Sequence, residues 1–244
     1  MSQPASEPAL QVRVIPVTPL QQNCSLIFRP DTKHAAFVDP GGDADVLLDA
    51  LKHFGLTLTR IWLTHGHVDH AGAAAELRER TGVKVEGPHI EDQFWLDQIE
   101  DASRRYGIQG CRNVTPDRYF EDGERLEFEG ESFDVLHTPG HTPGHVVIHN
   151  PAAKIAFVGD VLFAGSIGRT DFPRGDHAQL IASITDKLWP LGEDVTFVPG
   201  HGPASTFGKE RQSNPFVADR LTGYGGAEKA EANPADQRTS KRYS

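Results

Sequence analysis

The segment Thr64-His65-Gly66-His67-Val68-Asp69-His70-Ala71-Gly72 places three histidines and a carboxylate within six residues. Imidazole and carboxylate groups are the usual ligands of Zn²⁺, Mn²⁺ and Fe²⁺. The apolar run Ile61-Trp62-Leu63 enters this segment as the end of a strand. Residues two apart on extended backbone point the same way, so His65 and His67 can grip one ion together. The small residues from Ala71 onward turn the chain as a helix start, which aims Asp69 and His70 at a different point and toward a second ion. The pattern predicts a two-metal site.

Three further stretches repeat the same local design, an apolar strand followed by a turn residue and then a ligand-type side chain. Phe133 to Leu136 runs through Thr138-Pro139-Gly140 into His141; Ala156-Phe157-Val158-Gly159 runs into Asp160; Phe197-Val198-Pro199-Gly200 runs into His201. Glycine beside the ligand allows a tight turn and a close backbone approach, so side chains from separate strands can meet at one sheet edge. A shared metal site accounts for all four stretches together. His137, His145 and His177 stand near this machinery as residues that could orient ligands, whereas His34, His53, His89 and His149 read as surface histidines.

The elements that must position these groups follow from periodicity. Residues 11–17, 24–29 and 35–39 alternate as strands, the first of them antiparallel, and Val46, Leu47, Leu48, Leu51 and Phe54 fall at helical spacing before Gly55. A strand over 58–63 delivers the first cluster. A helix over 71–80 and a short strand over 83–85 come next, then a more polar helical pattern between Pro88 and Arg105 in which Phe94, Trp95 and Ile99 read as packing residues. Strands are predicted over 125–128, 132–136, 146–149 and 155–158, a helix over 177–188 and a last strand over 194–198. This order makes an α+β protein of two halves, sheets face to face and helices outside.

Composition bounds the rest. A chain of 244 residues suits one large domain, here residues 11–217, with a flexible start at 1–10 and a polar, Gly/Ala/Lys-rich tail over 218–244. No apolar run approaches bilayer length and the first ten residues lack the charge pattern of a secretory leader, so a cytoplasmic protein with no membrane partner is expected. Two cysteines, Cys24 and Cys111, are too few for a disulfide framework and read as packing residues. A net charge of −10 argues against nucleic acid as a partner.

The four-part pattern from Thr64 to His201 resembles the metallo-β-lactamase superfamily over residues 11 to about 217. That resemblance implies an αβ/βα four-layer sandwich and a binuclear site in which His65, His67 and His141 bind one metal, Asp69, His70 and His201 the second, and Asp160 bridges them. The segments 137–145, 168–175, 188–192 and 199–207 are similar to the glyoxalase II, or hydroxyacylglutathione hydrolase, branch in its short form, since the chain lacks the additional C-terminal helical domain of longer members. The resemblance therefore implies hydrolysis of a small-molecule thioester, S-lactoylglutathione being the family's usual substrate, by a hydroxide bridging two divalent ions. Zinc is the first expectation for those ions, and iron and manganese also suit the ligands. Asp69 would also take the proton of the attacking water, and Arg169, Arg174, Lys209 and Arg211 are the cations available to an anionic substrate. The Gly168-Arg-Thr-Asp-Phe172 segment also occurs in the related persulfide dioxygenases, so a mononuclear-iron oxygenase is the alternative, followed by a lactonase or a β-lactamase-like hydrolase.

Overall fold

The computed structural model describes residues 10–224. Of the segments 1–10 and 218–244 expected to be flexible, residues 1–9 and 225–244 lie outside the described residues. Strands β1 (Gln11–Val17), β2 (Gln22–Phe28) and β3 (His34–Val38) form an antiparallel start, and α1 (Ala44–Phe54) then crosses over to β4 (Thr57–Trp62), parallel to β3. The helical stretch expected over 71–80 is two pieces, α2 (Val68–Ala71) and α3 (Ala74–Thr81). They are separated by Gly72, where a Cβ would stand 2.4 Å from the Gly41 carbonyl and 2.5 Å from the Cys111 sulfur. Strand β5 (Val85–Glu86) closes a sheet of order β1-β2-β3-β4-β5. The polar helical region resolves into a turn at 90–92, α4 (Gln93–Leu96) and α5 (Ile99–Tyr106).

The second half begins with β6 (Arg125–Phe128), β7 (Glu131–His137), β8 (Val146–Asn150) and β9 (Ile155–Gly159). A small hairpin that the periodicity does not reveal, β10 (Leu162–Phe163) with β11 (Ser166–Ile167), precedes α6 (His177–Ala182), whose chain winds on helically to Leu191. Then come β12 (Thr196–Pro199), β13 (Ser205–Thr206), α7 (Phe207–Ser213) and α8 (Asp219–Thr222). Helix α8 lies where composition predicts a tail, so ordered chain continues past residue 217; Tyr224 packs on the neighbouring core and over the Arg211 guanidinium. The second sheet has the order β13-β12-β9-β8-β7-β6.

Three apolar clusters stack these parts. Leu47, Leu51, Leu77, Leu96 and Ile99 pack helices onto the outer face of the first sheet. Between the sheets lie Ile27, Val38 and Trp62 from one and Phe128, Phe133, Ile148 and Phe157 from the other. Val147, Val158 and Phe197 meet Leu180, Ile184, Leu188 and Phe207 on the far side. The result is helix, sheet, sheet, helix. The end of β4 shows why Ile61-Trp62-Leu63 is a continuous apolar run: Ile61 and Leu63 face the helices while Trp62 faces the other sheet, so both sides are buried there. His149 departs from its expected surface position for the same reason. Every residue of β8 is buried between β7 and β9, and His149 is 4% exposed.

Two parallel pairs, β3 with β4 and β9 with β12, end on one rim of the sandwich. Loops at the carboxyl ends of parallel strands are where such sheets place ligand sites. The rim is tied across the sheets by Val146 N–H to the Thr64 carbonyl at 2.8 Å and Asn23 N–H to the Gly200 carbonyl at 2.8 Å.

Candidate metal centre

All seven expected ligand residues meet at that rim. His65 and His67 follow β4, and His141 arrives on the turn after β7. The His67 Nδ1 lies 3.1 Å from both His65 Nε2 and His141 Nε2. Nitrogens bound to one tetrahedral ion at about 2.0–2.1 Å stand about 3.3 Å apart, so this triad is close to the separation that a shared ion demands. His65 is wholly buried and its pKa is pushed well down by burial, then by the neighbouring histidines; His67 is pushed to about 3 by burial and by His141. Both are therefore neutral imidazoles with a lone pair available.

Asp69 and His70 ride on α2, where the His70 ring lies beside that of His65, with centroids 4.0 Å apart. The Asp69 Oδ2 is 3.1 Å from His201 Nε2 and 4.0 Å from His70 Nε2. Asp160 sits between the two groups: its Oδ2 is 3.7 Å from His141 Nε2 and 3.9 Å from His201 Nε2, and its Oδ1 is 3.3 Å from His70 Nε2. The His70 Nε2 and the Asp160 Oδ1 are buried and neither meets a hydrogen-bond partner of good geometry. Burial works to raise the Asp160 pKa, but the positive field of His70, His141 and His201 holds it far below the carboxylate range. An ionised carboxylate and an orphaned imidazole nitrogen that face each other in the interior suit a cation between them. Gly200, next to His201, is required at this spot, since a Cβ there would lie 2.2 Å from the Asp160 Oδ1 and 2.4 Å from the His70 ring.

The model of the metallo-β-lactamase superfamily matches residues 17–201. The chain belongs to the metallo-β-lactamase superfamily. The hydroxyacylglutathione hydrolase GloC of Haemophilus influenzae is 46% identical over 209 residues, covering 85% of this chain and 98% of that protein. Among solved structures, the BLEG-1 B3 metallo-β-lactamase aligns with a TM-score of 0.78 at 39% identity over 85% of this chain and 99% of its own. TTHA1623 in a di-iron-bound form aligns with a TM-score of 0.77 at 37% identity, over 84% of this chain and 100% of that one. The four-layer α+β sandwich and the clustered His/Asp residues are those of a metal-dependent hydrolase of this superfamily, whose centre takes divalent ions.

In this metallo-β-lactamase superfamily member, two aspartates that local pattern does not single out hold the ligands in place. Asp39, just after β3, accepts from Thr64 N–H at 2.7 Å, Thr64 Oγ1 at 2.6 Å and His70 Nδ1 at 2.9 Å. It thereby presents His70 Nε2 to the centre, a common arrangement behind metal-bound imidazole. Replacing Asp39 by Ala is expected to weaken metal retention by about 10–100-fold, read as metal content during chelator competition. Unchanged retention would refute that role. Asp92 is fully buried and accepts from Gly66 N–H at 2.8 Å, Thr142 Oγ1 at 2.7 Å and Gly144 N–H at 2.6 Å. It joins the His65–His67 loop to the His141–His145 loop.

The other histidines sort by contact. His145 is buried and its Nε2 accepts from the Asp160 N–H at 3.1 Å; His141 Nδ1 donates to the Arg169 carbonyl at 2.8 Å. His137 Nε2 donates to the Pro143 carbonyl at 2.7 Å within the same loop, and His89 stacks on His137 with centroids 4.3 Å apart. His177 opens α6 on the exposed surface, away from the ligand cluster's interior. Cys24 and Cys111 are free and buried.

Beside the ligands lies a cavity of about 520 Å³, within the usual range for small-molecule sites. His67, Asp69, His141, Asp160 and His201 form its floor, and Trp95, Phe163 and Phe172 stand in its walls. Trp95 thus lines the cavity, while Ile99 packs into the core as its spacing suggests. Of the four cations named from sequence, Arg169 lines the cavity. Arg174 reaches Glu91 instead, at 3.4 Å, and Lys209 is exposed on α7. Arg211 is buried against Asp219 at 3.1 Å and Glu193 at 3.3 Å, where it fastens α7 to its neighbours. Among the described residues no helix is long and apolar enough to cross a membrane.

Proposed function

We propose that this chain hydrolyses a glutathione thioester of a small 2-hydroxy acid, S-lactoylglutathione in the first instance, with two divalent ions, zinc foremost, held by the seven gathered side chains. The observation that carries this reading is the placement of Asp69, His70 and His201 beside His65, His67 and His141, with Asp160 between the two groups. The 46% identity to a hydroxyacylglutathione hydrolase supports the thioester as substrate. In this reading His65, His67 and His141 would hold one ion, Asp69, His70 and His201 would hold the other, and Asp160 would serve both.

A bound pair of dications lowers the pKa of coordinated water from ~16 toward neutrality and polarises a carbonyl. The protein's own part is positional. Asp69 lines the cavity floor, where it orients the attacking water and takes its proton. His145 fixes the Asp160 backbone and Asp39 fixes His70, so the ligands cannot swing away as charge develops. A thiolate leaves without a strong general acid, so no side-chain donor is required at the leaving sulfur. Arg169 lines the same cavity with its charge already matched by Asp171, at 2.6 Å.

Thiol release from S-lactoylglutathione by the metal-loaded protein tests this reading. His201→Ala is expected to lower kcat/KM by about 100-fold or more, because one of the two ions loses a ligand. Oxygen uptake with glutathione persulfide, together with an unaffected His201→Ala variant, would instead identify a mononuclear-iron oxygenase. A second hydrolytic reading, opening of a β-lactam ring, is favoured by the 39% identity to the BLEG-1 enzyme, and a cephalosporin in the same assay decides it.

A further inference from the structure

The cavity walls are uneven, and the unevenness bears on which acyl group fits. On the His67 side, Trp95 meets the His67 ring edge-on with centroids 4.6 Å apart at 78°, and Phe172 meets it at 4.8 Å and 63°. The two aromatic rings stand 5.9 Å apart at 79° to each other, which makes a right-angled apolar corner directly over a ligand of the centre. Trp95 adds an indole N–H that is buried and has no hydrogen-bond partner. Opposite, Phe163 stands 6.5 Å from the His201 ring.

The cations near this corner are committed to the walls. Arg169 lies over the Phe172 ring at 4.3 Å and donates two hydrogen bonds of 2.6 Å to Asp171. Arg174 lies over Phe94 at 5.0 Å and reaches Glu91. Each guanidinium thus braces an aromatic ring and is already matched by a carboxylate, so neither offers a full charge to the carboxylates of a peptide thiol. Discrimination at this cavity must then come from apolar contact beside the reacting carbonyl, where burying a flat ring gains most.

We infer that the Trp95–Phe172 corner is a subsite for an aromatic acyl group, so that the preferred substrates are aryl-substituted 2-hydroxyacyl thioesters and lactoyl thioester is the poorer member of the class. The inference rests on the thioester reading above. Its test measures binding separately from turnover: calorimetry of the metal-loaded full chain with S-benzylglutathione and with S-methylglutathione, which share the peptide and differ by one phenyl ring. The benzyl compound is expected to bind about tenfold more tightly or better, the least that a filled apolar subsite provides. Phe172→Ala should bring the two affinities together, and Phe172→Leu, for use if the alanine variant does not fold, should reduce the ratio by about threefold or more. The kcat/KM ratio of S-mandeloylglutathione to S-lactoylglutathione is expected to move in parallel. Equal affinities in the parent protein, no binding of either compound, or a ratio untouched by Phe172→Ala would overturn the inference. A benzyl preference without hydrolysis of either thioester would leave the subsite standing and defeat the hydrolase reading; hydrolysis without the preference would do the reverse.

Discussion

On the two-ion thioesterase function proposed above, Asp160→Asn is expected to lower kcat/KM by about 1,000-fold or more and to take the bound metal from two ions per chain toward one. The change keeps the side chain's shape, so the fold has no steric reason to fail. What disappears is the single negative charge that faces both triads, with one oxygen 3.3 Å from His70 Nε2 and the other 3.7 Å and 3.9 Å from His141 and His201. An amide offers at most a neutral oxygen to one side and presents N–H donors to the other, where a cation would be repelled. Metal analysis of the purified variant, with far-UV circular dichroism as the check on folding, reads the result. Retention of two tightly held ions and near-normal turnover would show that Asp160 does not bridge.

The second large effect concerns Asp92, which touches no expected ligand. Asp92→Ala leaves the Gly66 N–H, the Gly144 N–H and the Thr142 hydroxyl without their acceptor in the interior, a loss of at least ~3 kcal/mol in unfolding free energy. Burial, the largest influence, raises the Asp92 pKa to about 6, against hydrogen bonds from Thr142, Gly66 and Gly144 that pull it down. An acid whose folded pKa exceeds its unfolded value near 3.8 binds protons more strongly in the native state, so its contribution to stability falls as pH rises through that window. Asn cannot titrate. The stability gap between the parent and Asp92→Asn should therefore narrow by roughly 1 kcal/mol between pH 5 and pH 7, measured by denaturant unfolding at each pH. A gap that widens would contradict the assignment.

Much of this centre is legible in sequence because most of the expected ligands stand next to the turn that ends a strand. His65, His141, Asp160 and His201 can be read one by one from apolar runs and adjoining glycines, and the sandwich brings them together. Asp39 and Asp92 are illegible by the same method. Asp92 acts on Gly66 and Gly144, which lie 26 and 52 residues away, and nothing in its own neighbourhood of a polar helical stretch marks it. The break between α2 and α3 depends on Gly72 wedging against Gly41, a tertiary contact that periodicity cannot contain. Short elements fail for a related reason: β10, β11 and β13 have two residues each, too few to show alternation. Arg211 illustrates the limit for charges, since its place just past His201 suggests substrate while its contacts with Asp219 and Glu193 make it a fastener of the fold. The aromatic wall is the converse case. Trp95 and Phe94 share helical spacing with Ile99, but only the short, broken helices α4 and α5 leave Trp95 facing His67.

Anomalous diffraction from crystals of the metal-loaded protein, collected at the absorption edge of the metal found by elemental analysis, tests the central claim most directly. Two peaks are expected, one enclosed by His65, His67 and His141 and one by Asp69, His70 and His201, with the Asp160 carboxylate in contact with both. A fully active protein showing one peak, or peaks away from these side chains, would contradict it.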